Sequence, residues 1–323
     1  MPHRSTLSAA EQSPAAHSER PQAHWRLDPL AVLAALLAVL ATASFTYTPM
    51  VSWFSQRAQS AQISAYQQEV RDGTAPQPKA APEPEQILEA QEYNSALASG
   101  AVIESFANVA RGVGEAEGSE FVYDDLLAIG DAGLMGRLRI PVIEVDLPIY
   151  HGTSEQTLLK GVGHLQGTSL PVGGEGTRTV LTAHRGLASA TLFTNLDKVK
   201  VGDVFTVSVL DRVYAYEVFD ISVIAPEESE ALQAVPGEDQ ATLITCTPLG
   251  INSHRILVTG KRVYPLPKAI ESDALQAPTL PHFPWWIVVQ ASMVVVIGVF
   301  IWWSGRPKRK RERKSNRELE LRS

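Results

Sequence analysis

The chain has 323 residues, a formal net charge of −7 and a single cysteine, Cys246. One cysteine excludes an internal disulfide and disfavours a cysteine-based metal site. Residues 306–323 contribute +6 (nine Lys or Arg, three Glu) and residues 1–51 contribute 0 (three of each sign), so residues 52–305 carry −13. The acidic middle part leaves no basic face for nucleic acid, and we expect no nucleic-acid partner.

The first apolar stretch covers residues 30–48 and contains no charged residue. At about 1.5 Å per residue it can cross a hydrocarbon core about 30 Å thick. Ala41-Thr-Ala43 resembles a small-residue cleavage site, so a cleaved signal peptide is an alternative interpretation. The apolar run is longer than the usual core of a signal peptide, and we therefore favour a retained signal anchor.

The next segment predicts helices joined by flexible chain. Residues 56–71 and 85–110 have the composition of helices, and the proline-rich residues 73–84 between them predict an extended spacer. Residues 111–119 are rich in Gly and Glu and predict a flexible acidic link.

Short β-like runs dominate the chain after residue 134. Turn signals such as Gly202-Asp203 separate the runs, and two short helices are predicted among them, at residues 188–196 and 227–234. Short strands at this density predict a β-barrel or β-sandwich of about 130 residues. The runs cover residues 137–150, 177–182, 204–209, 213–218, 221–224, 241–245 and 255–263.

The second apolar stretch, residues 283–303, also lacks charge and has two tryptophans at each end, where indoles prefer the membrane interface. It predicts a second spanning helix, and the lipid bilayer is therefore an expected partner. The basic residues 306–314 that follow predict a cytoplasmic C-terminus. Arg4, Arg20 and Arg26 predict a cytoplasmic N-terminus as well, so the intervening part faces outward.

Cys246 ends a β-like run, and His184 and Arg255 each border another one. Without context, a lone cysteine on a strand is more often a small buried hydrophobic residue. A nucleophilic cysteine, in contrast, needs a nearby histidine or cation that favours the thiolate.

Several blocks of the chain resemble class C sortases, the pilin-polymerising transpeptidases of Gram-positive bacteria. The similarity covers about residues 86–305 and includes the second apolar stretch. The blocks are Leu147-Pro-Ile-Tyr-His-Gly-Thr153, Gly161-Val-Gly-His-Leu-Gln-Gly-Thr-Ser-Leu-Pro-Val-Gly-Gly174, Leu181-Thr-Ala-His-Arg-Gly186 and Thr242-Leu-Ile-Thr-Cys-Thr-Pro-Leu-Gly-Ile-Asn-Ser-His-Arg255.

The resemblance implies a mainly β fold, an eight-stranded sortase barrel with short helices, an N-terminal helical segment and a transmembrane helix at each end. It also implies cleavage of an LPXTG-like sorting signal after Thr, a thioester intermediate, and transfer to a lysine amine of a pilin. By motif, Cys246 is the nucleophile, His184 the general acid and base, and Arg255 the group that stabilises the oxyanion. This chemistry agrees with what amide cleavage requires, and it needs no metal and no cofactor.

Other histidines and arginines compete for these roles. His254 is adjacent to Arg255, but neighbouring side chains on a strand face opposite sides, so only one of the two can face Cys246. By the same argument Arg185 is predicted to point away from the face of His184. We expect structural hydrogen bonds from His151, His164 and His254.

Two features depart from the family pattern. Class C sortases usually carry a lid built around Asp-Pro-aromatic, whereas the only Asp-Pro in this chain is Asp28-Pro29. Residues 111–125, which include Phe121 and Tyr123, stand where a lid would lie, so autoinhibition by this segment is in doubt. Leu249 also replaces the usual tyrosine.

Two alternative functions stay open, a sortase that attaches surface proteins to peptidoglycan and an inactive membrane scaffold that presents pilins. The expected organisation comprises a cytoplasmic N-terminus (residues 1–29), a signal anchor (30–50), an extracellular spacer with helix and lid region (51–133), the sortase barrel (134–266), a linker (267–282), a transmembrane helix (283–303) and a basic cytoplasmic tail (304–323).

Overall fold

The structure is a computed structural model that describes residues 25–72, 83–98, 122–129 and 133–306. Its helices are α1 (Pro29–Asp72), α2 (Glu83–Ala98), α3 (Glu155–Lys160), α4 (Lys268–Ala274) and α5 (Trp285–Ser304). Its strands are β1 (Leu134–Ile140), β2 (Val145–His151), β3 (Val162–His164), β4 (Thr177–Thr182), β5 (Val204–Val209), β6 (Arg212–Ile224), β7 (Asp239–Thr247) and β8 (His254–Arg262).

The eight strands form a closed barrel in the order β1-β2-β3-β4-β7-β8-β6-β5, which confirms the predicted fold class. The pairs β2–β3 and β4–β7 are parallel, and the other neighbouring strands are antiparallel. The two predicted runs at residues 213–218 and 221–224 belong to one strand, β6, whose register shifts between Val218 and Asp220. A bulge of this kind interrupts the alternation of side chains, which explains why one strand resembled two.

Of the two predicted short helices, one is absent and the other is a 3-10 helix. The prediction of a helix at residues 188–196 is wrong, because this segment consists of turns that lead into a short 3-10 helix at Leu196–Lys198. Ala190, Leu192 and Phe193 are buried and fix the turns by packing. The prediction at residues 227–234 is confirmed only as a 3-10 helix, at Ser229–Leu232.

The barrel holds one large core, and a smaller apolar cluster lies on the part of the sheet formed by β4, β7, β8 and β6. Phe205 and Tyr216 stack within the large core, with ring centroids 5.5 Å apart. Leu232, from the segment between β6 and β7, is buried in the smaller cluster. Both faces of β7 are thus covered, which explains why it is an almost continuous buried strand. The smaller cluster consists of Val180, Ile224, Leu232, Ile244 and Leu257.

The second half of α1 packs on the barrel through hydrogen bonds as well as apolar contacts. The Tyr66 hydroxyl accepts a bond from the backbone N–H of Leu210 (2.7 Å), and the Gln59 side chain donates to the carbonyl of Lys160 (3.2 Å). This part of α1 contains the helix predicted at residues 56–71, which is confirmed. The helix predicted at residues 85–110 is confirmed as far as Ala98, and residues 99–121, with the predicted acidic link, lie outside the described residues.

The residues that follow α4 form a strap along the barrel. Arg137 and Asp146 make a buried bidentate ion pair (2.6 and 2.7 Å), and both side chains also bind strap residues. Arg137 donates to the carbonyls of Ala274 and Gln276, and Asp146 accepts from the backbone N–H of Thr279. The segment predicted as a linker therefore has fixed contacts.

The part of the chain that the structure describes divides into two compact units, one within residues 45–287 and the other formed by residues 25–44 with 288–306. In the second unit, Arg26 donates its backbone N–H to the carbonyl of Gly305, and the Trp25 ring donates to the carbonyl of Trp302. The two helices α1 and α5 are long and apolar enough to cross a membrane, by length and composition.

Candidate active site

Cys246 and Arg255 lie opposite each other on β7 and β8, where their Cα atoms are register partners. Directly paired residues of an antiparallel ladder point to the same face of a sheet. Both residues are half-buried, so the thiol and the guanidinium share one partly open surface. The next pair along the ladder is Thr247 and His254, which face the other way. The geometry thus favours Arg255 over His254 as the cation beside the thiol.

His184 reaches the same edge of the barrel from β4. Strand β4 is parallel to β7, and Thr182 lies opposite Ile244. His184 and Cys246 are each two residues further along the chain, so they lie level with each other. The backbone N–H of Ala183 donates to the carbonyl of Ile244, and the buried Thr245 hydroxyl donates to the carbonyl of Ala183 (2.8 Å). These bonds fix the main chain of His184 beside Cys246.

The His184 ring has a carboxylate partner that the sequence did not reveal. Its Nε2 lies 3.2 Å from Oε1 of Glu155, and the two side chains are 23% and 67% exposed. Glu155 is the first residue of α3, and the Ser154 side chain caps that helix by accepting from the N–H of Thr157. In the sequence, Ser154 before Glu155 indicates only the start of a helix. It does not indicate that Glu155 contacts a residue 29 positions away.

The Arg255 guanidinium is held at the start of β8. Its Nη1 donates to the carbonyls of Asn252 (2.9 Å) and His254 (3.0 Å). Arginine has five N–H donors, so this anchoring leaves other donors of the fork for a ligand. The exposed His254 ring instead pairs with the Ser253 hydroxyl through Nδ1 (2.9 Å).

Arg185 makes contacts away from the Cys246 thiol. Its side chain is 7% exposed and pairs with Asp197 (2.8 Å), while Nε and Nη1 bind the Thr194 carbonyl and the Thr247 hydroxyl. The guanidinium therefore braces the loop after β4 against β7. The hydroxyls of both threonines that flank Cys246 are already engaged, Thr245 with Ala183 and Thr247 with Arg185.

Leu249 covers the loop that carries His184. Gly186 has a positive φ of +76°, and a Cβ at this position would overlap Cδ2 of Leu249. The left-handed backbone is the reason for glycine at this position, since the exposed Leu249 side chain can turn away from a Cβ.

The smaller apolar cluster is the floor of this surface. Ile244 is two residues before Cys246 and shares its face of β7, and Ile224 is the register partner of Arg255 on β6. These side chains are buried with Leu232, so they pack beneath the strands that carry Cys246 and Arg255.

His151 and His164 anchor the segment at residues 122–129, as predicted for structural histidines. The carbonyl of Ser169 can only accept, so His164 donates from Nε2 (2.9 Å) and accepts at Nδ1 from the Tyr123 hydroxyl (2.8 Å). His151 Nε2 bonds to the carbonyl of Leu126 (2.7 Å). Burial lowers the pKa of His164 to about 4. Tyr123 is therefore a buried anchor, and the remaining residues of the predicted lid, 111–121, lie outside the described residues.

Comparisons with known proteins agree with this architecture. The family described as "Sortase domain" matches residues 138–263. Sortase C1 of Streptococcus agalactiae is 43% identical, with a TM-score of 0.54, over 65% of this chain and 98% of that one. Sortase C-1 of Streptococcus pneumoniae is 39% identical, with a TM-score of 0.52, over 64% of this chain and 100% of that one.

Sequence relatives point to the same family. Sortase A of Streptococcus agalactiae serotype III is 32% identical over 117 residues, which is 35% of this chain and 47% of that protein. The chain thus spans about half of that relative. Sortase A of Bacillus anthracis is 29% identical over 46% of this chain and 70% of that protein.

Sortases are cysteine transpeptidases, and the barrel topology and the free cysteine of this chain agree with that class. The chain belongs to the sortase family, and the solved sortases that it resembles at 39–43% identity are of class C. Sortases act on surface-protein or pilin substrates of the LPXTG type.

Proposed function

We propose that this protein polymerises pili by cleaving an LPXTG-like signal and joining the acyl group to a lysine of the next pilin. The observation that carries the proposal is the pairing of Cys246 with Arg255 across β7 and β8, with His184 fixed at the same edge. The 43% identity to a sortase C1 over nearly the whole of that chain supports class C over other sortases.

Acylation begins with the Cys246 thiolate, which attacks the carbonyl carbon of the signal's threonine and forms a C–S bond. Arg255 donates hydrogen bonds to the oxyanion that develops on the carbonyl oxygen, because its charge is permanent and its fork offers several donors. As the C–N bond to glycine breaks, protonated His184 gives its proton to the departing amine. The products are a thioester on Cys246 and a free C-terminal fragment.

Transfer reverses the proton movement. A lysine amine of the acceptor pilin attacks the thioester carbon, and neutral His184 takes the proton that the nitrogen loses. Arg255 stabilises the second oxyanion, and the Cys246 thiolate leaves as the new amide forms.

Two membrane helices tether the catalytic unit in this proposal. Helix α5 has no buried residue and exposes valines and tryptophans around its surface, which water disfavours and lipid accepts. In the proposed topology the barrel lies outside the cell, and both termini are cytoplasmic. The basic residues after α5 support this for the C-terminus, and Arg4, Arg20 and Arg26 support it for the N-terminus.

The test is acyl transfer by the full-length chain in lipid nanodiscs. With an LPXTG peptide, mass spectrometry should detect a thioester on Cys246, and addition of a lysine-bearing pilin should convert it to a ligated product. Cys246→Ala is the control and should give neither species. If wild type and this variant gave the same products, the catalytic proposal would be wrong, and an inactive scaffold would be favoured.

The acceptor distinguishes pilus assembly from cell-wall anchoring. A parallel reaction should contain a peptidoglycan stem peptide with a free amine in place of the pilin. Faster transfer to the stem peptide than to the pilin lysine would favour the anchoring sortase.

A further inference from the structure

The imidazole ring of His184 contacts the carboxylate of Glu155 through Nε2. The ionised carboxylate can only accept a hydrogen bond, so at 3.2 Å the Nε2 atom carries the proton. In the neutral ring this places the lone pair on Nδ1. The ring therefore exchanges protons with substrate through Nδ1, and its Nε2 edge is held.

The main chain on both sides of the contact is already fixed. Ser154 caps α3 and sets the direction of Glu155, and the carbonyl of His184 accepts from the N–H of Phe193 (3.0 Å). Neither set of bonds controls rotation of the imidazole about its own side-chain torsions. The Glu155 carboxylate does so, because it bonds to the Nε2 atom of the ring itself.

We propose that Glu155 is a positioning residue of the transfer reaction, which fixes the tautomer and orientation of the His184 ring. The inference rests on the proposed function, since it assigns His184 to proton transfer. Glu155 acts through His184 and does not touch the reacting atoms. Because the Glu155 side chain is 67% exposed, loss of the contact should lower the transfer rate by only a modest factor. Loss of a buried carboxylate would lower it more.

Two variants separate the hydrogen bond from the charge. Glu155→Gln keeps an oxygen acceptor for Nε2–H but removes the charge, and Glu155→Ala removes both. Full-length Glu155→Ala should lower kcat for transfer from an LPXTG peptide to a lysine amine by about 3- to 10-fold. KM for the amine should stay near that of wild type, and Glu155→Gln should recover part of the loss. Glu175→Gln, an exposed glutamate between β3 and β4, is the matched control and should leave kcat unchanged.

A spectroscopic measurement makes the role visible without turnover. Solid-state ¹⁵N spectra of histidine-labelled full-length protein in bilayers distinguish protonated from unprotonated ring nitrogens, and His184→Gln identifies the signals. Wild type and Glu155→Gln should show His184 protonated on Nε2, and Glu155→Ala should show a mixture of tautomers.

The proposal is overturned if Glu155→Ala keeps the wild-type tautomer and kcat. It is also overturned if the loss lies entirely in KM for the amine, because Glu155 would then bind the acceptor's ammonium group. Failure of the proposed function itself looks different, since wild type would then form no thioester whatever occupies position 155.

Discussion

Cys246 and Arg255 are cross-strand neighbours, and the pair one step further along the same ladder is Thr247 with His254. Arg255 therefore shares the face of the Cys246 thiol, whereas His254, one residue away, faces the opposite side. The Nη1 atom of Arg255 is tied to the carbonyls of Asn252 and His254, which keeps the guanidinium close to β8.

Replacement of Arg255 should therefore damage catalysis far more than replacement of its neighbour. Arg255→Ala should slow thioester formation by about 100-fold or more, the effect of losing an oxyanion donor. Arg255→Lys should recover little, because an ammonium cannot both bind the two carbonyls and present a fork to the substrate. The measurement is the rate of acyl-enzyme formation by mass spectrometry, with His254→Ala as the control. Equal losses in Arg255→Ala and His254→Ala would contradict the assignment.

The left-handed backbone of Gly186 sets the turn in the loop that carries His184. Gly186→Ala should reduce stability by about 1–3 kcal/mol, because a side chain strains this backbone, whereas the half-exposed Leu249 side chain can turn away from the new Cβ. Gly237→Ala is the control for backbone strain alone, since Gly237 has a similar φ of +78° and nothing within 4 Å of an added Cβ. Thermal unfolding measures both losses. The two losses should be similar, and a much larger loss in Gly186→Ala would show that Leu249 does not move aside.

The predicted barrel is confirmed, and the three proposed catalytic residues stay a prediction that local motifs carry. Short strands with turn signals predict a β-barrel or a β-sandwich. The motifs around His184, Cys246 and Arg255 carry the resemblance to sortases, and that resemblance implies the barrel. Glu155 escaped prediction because its contact with His184 arises from the crossover through α3, and no local pattern encodes a pairing across 29 residues.

The strap after α4 escaped prediction for a related reason. Its own residues, 275–282, mix polar and apolar types and include two prolines, which predicts no regular element. The groups that hold it are Arg137 and Asp146 on β1 and β2. The alternation of apolar and polar residues predicts that Arg137 lies in a strand. It does not predict burial of the side chain, which is 1% exposed in the closed barrel.

This buried ion pair predicts a large and specific loss of stability. Asp146→Asn leaves the Arg137 charge buried without its counter-ion and should cost about 3–5 kcal/mol. Asp273→Asn is the matched control, because Asp273 pairs with Arg139 at 3.0 Å but is 44% exposed, and it should cost less than about 1 kcal/mol. Thermal or denaturant unfolding of the full-length protein in micelles measures both. Similar values for the two variants would show that the pair contributes no more than a surface contact.

The same pair has a pH signature. Burial alone would raise the pKa of Asp146, but hydrogen bonds and charge from Arg137, with bonds from Thr279, lower it below the usual value. A carboxyl group with a lowered folded pKa contributes stability that is present above its unfolded pKa, about 3.9, and is lost as pH falls through the folded value. The stability difference between wild type and Asp146→Asn should therefore shrink below pH of about 4.

His164 should make the protein less stable in mild acid, in a window separate from that of Asp146. Burial lowers its folded pKa from 6.5 to about 4, so the unfolded chain binds a proton in this interval that the folded chain does not. Stability is then fully present above pH of about 6.5 and declines as pH falls towards about 4, by about 3 kcal/mol in total. His164→Gln removes this group, and His254→Gln removes an exposed histidine as the control. Unfolding free energies measured from pH 7 to pH 4 should decline less steeply in His164→Gln than in wild type or His254→Gln, and three parallel curves would contradict the role assigned to His164.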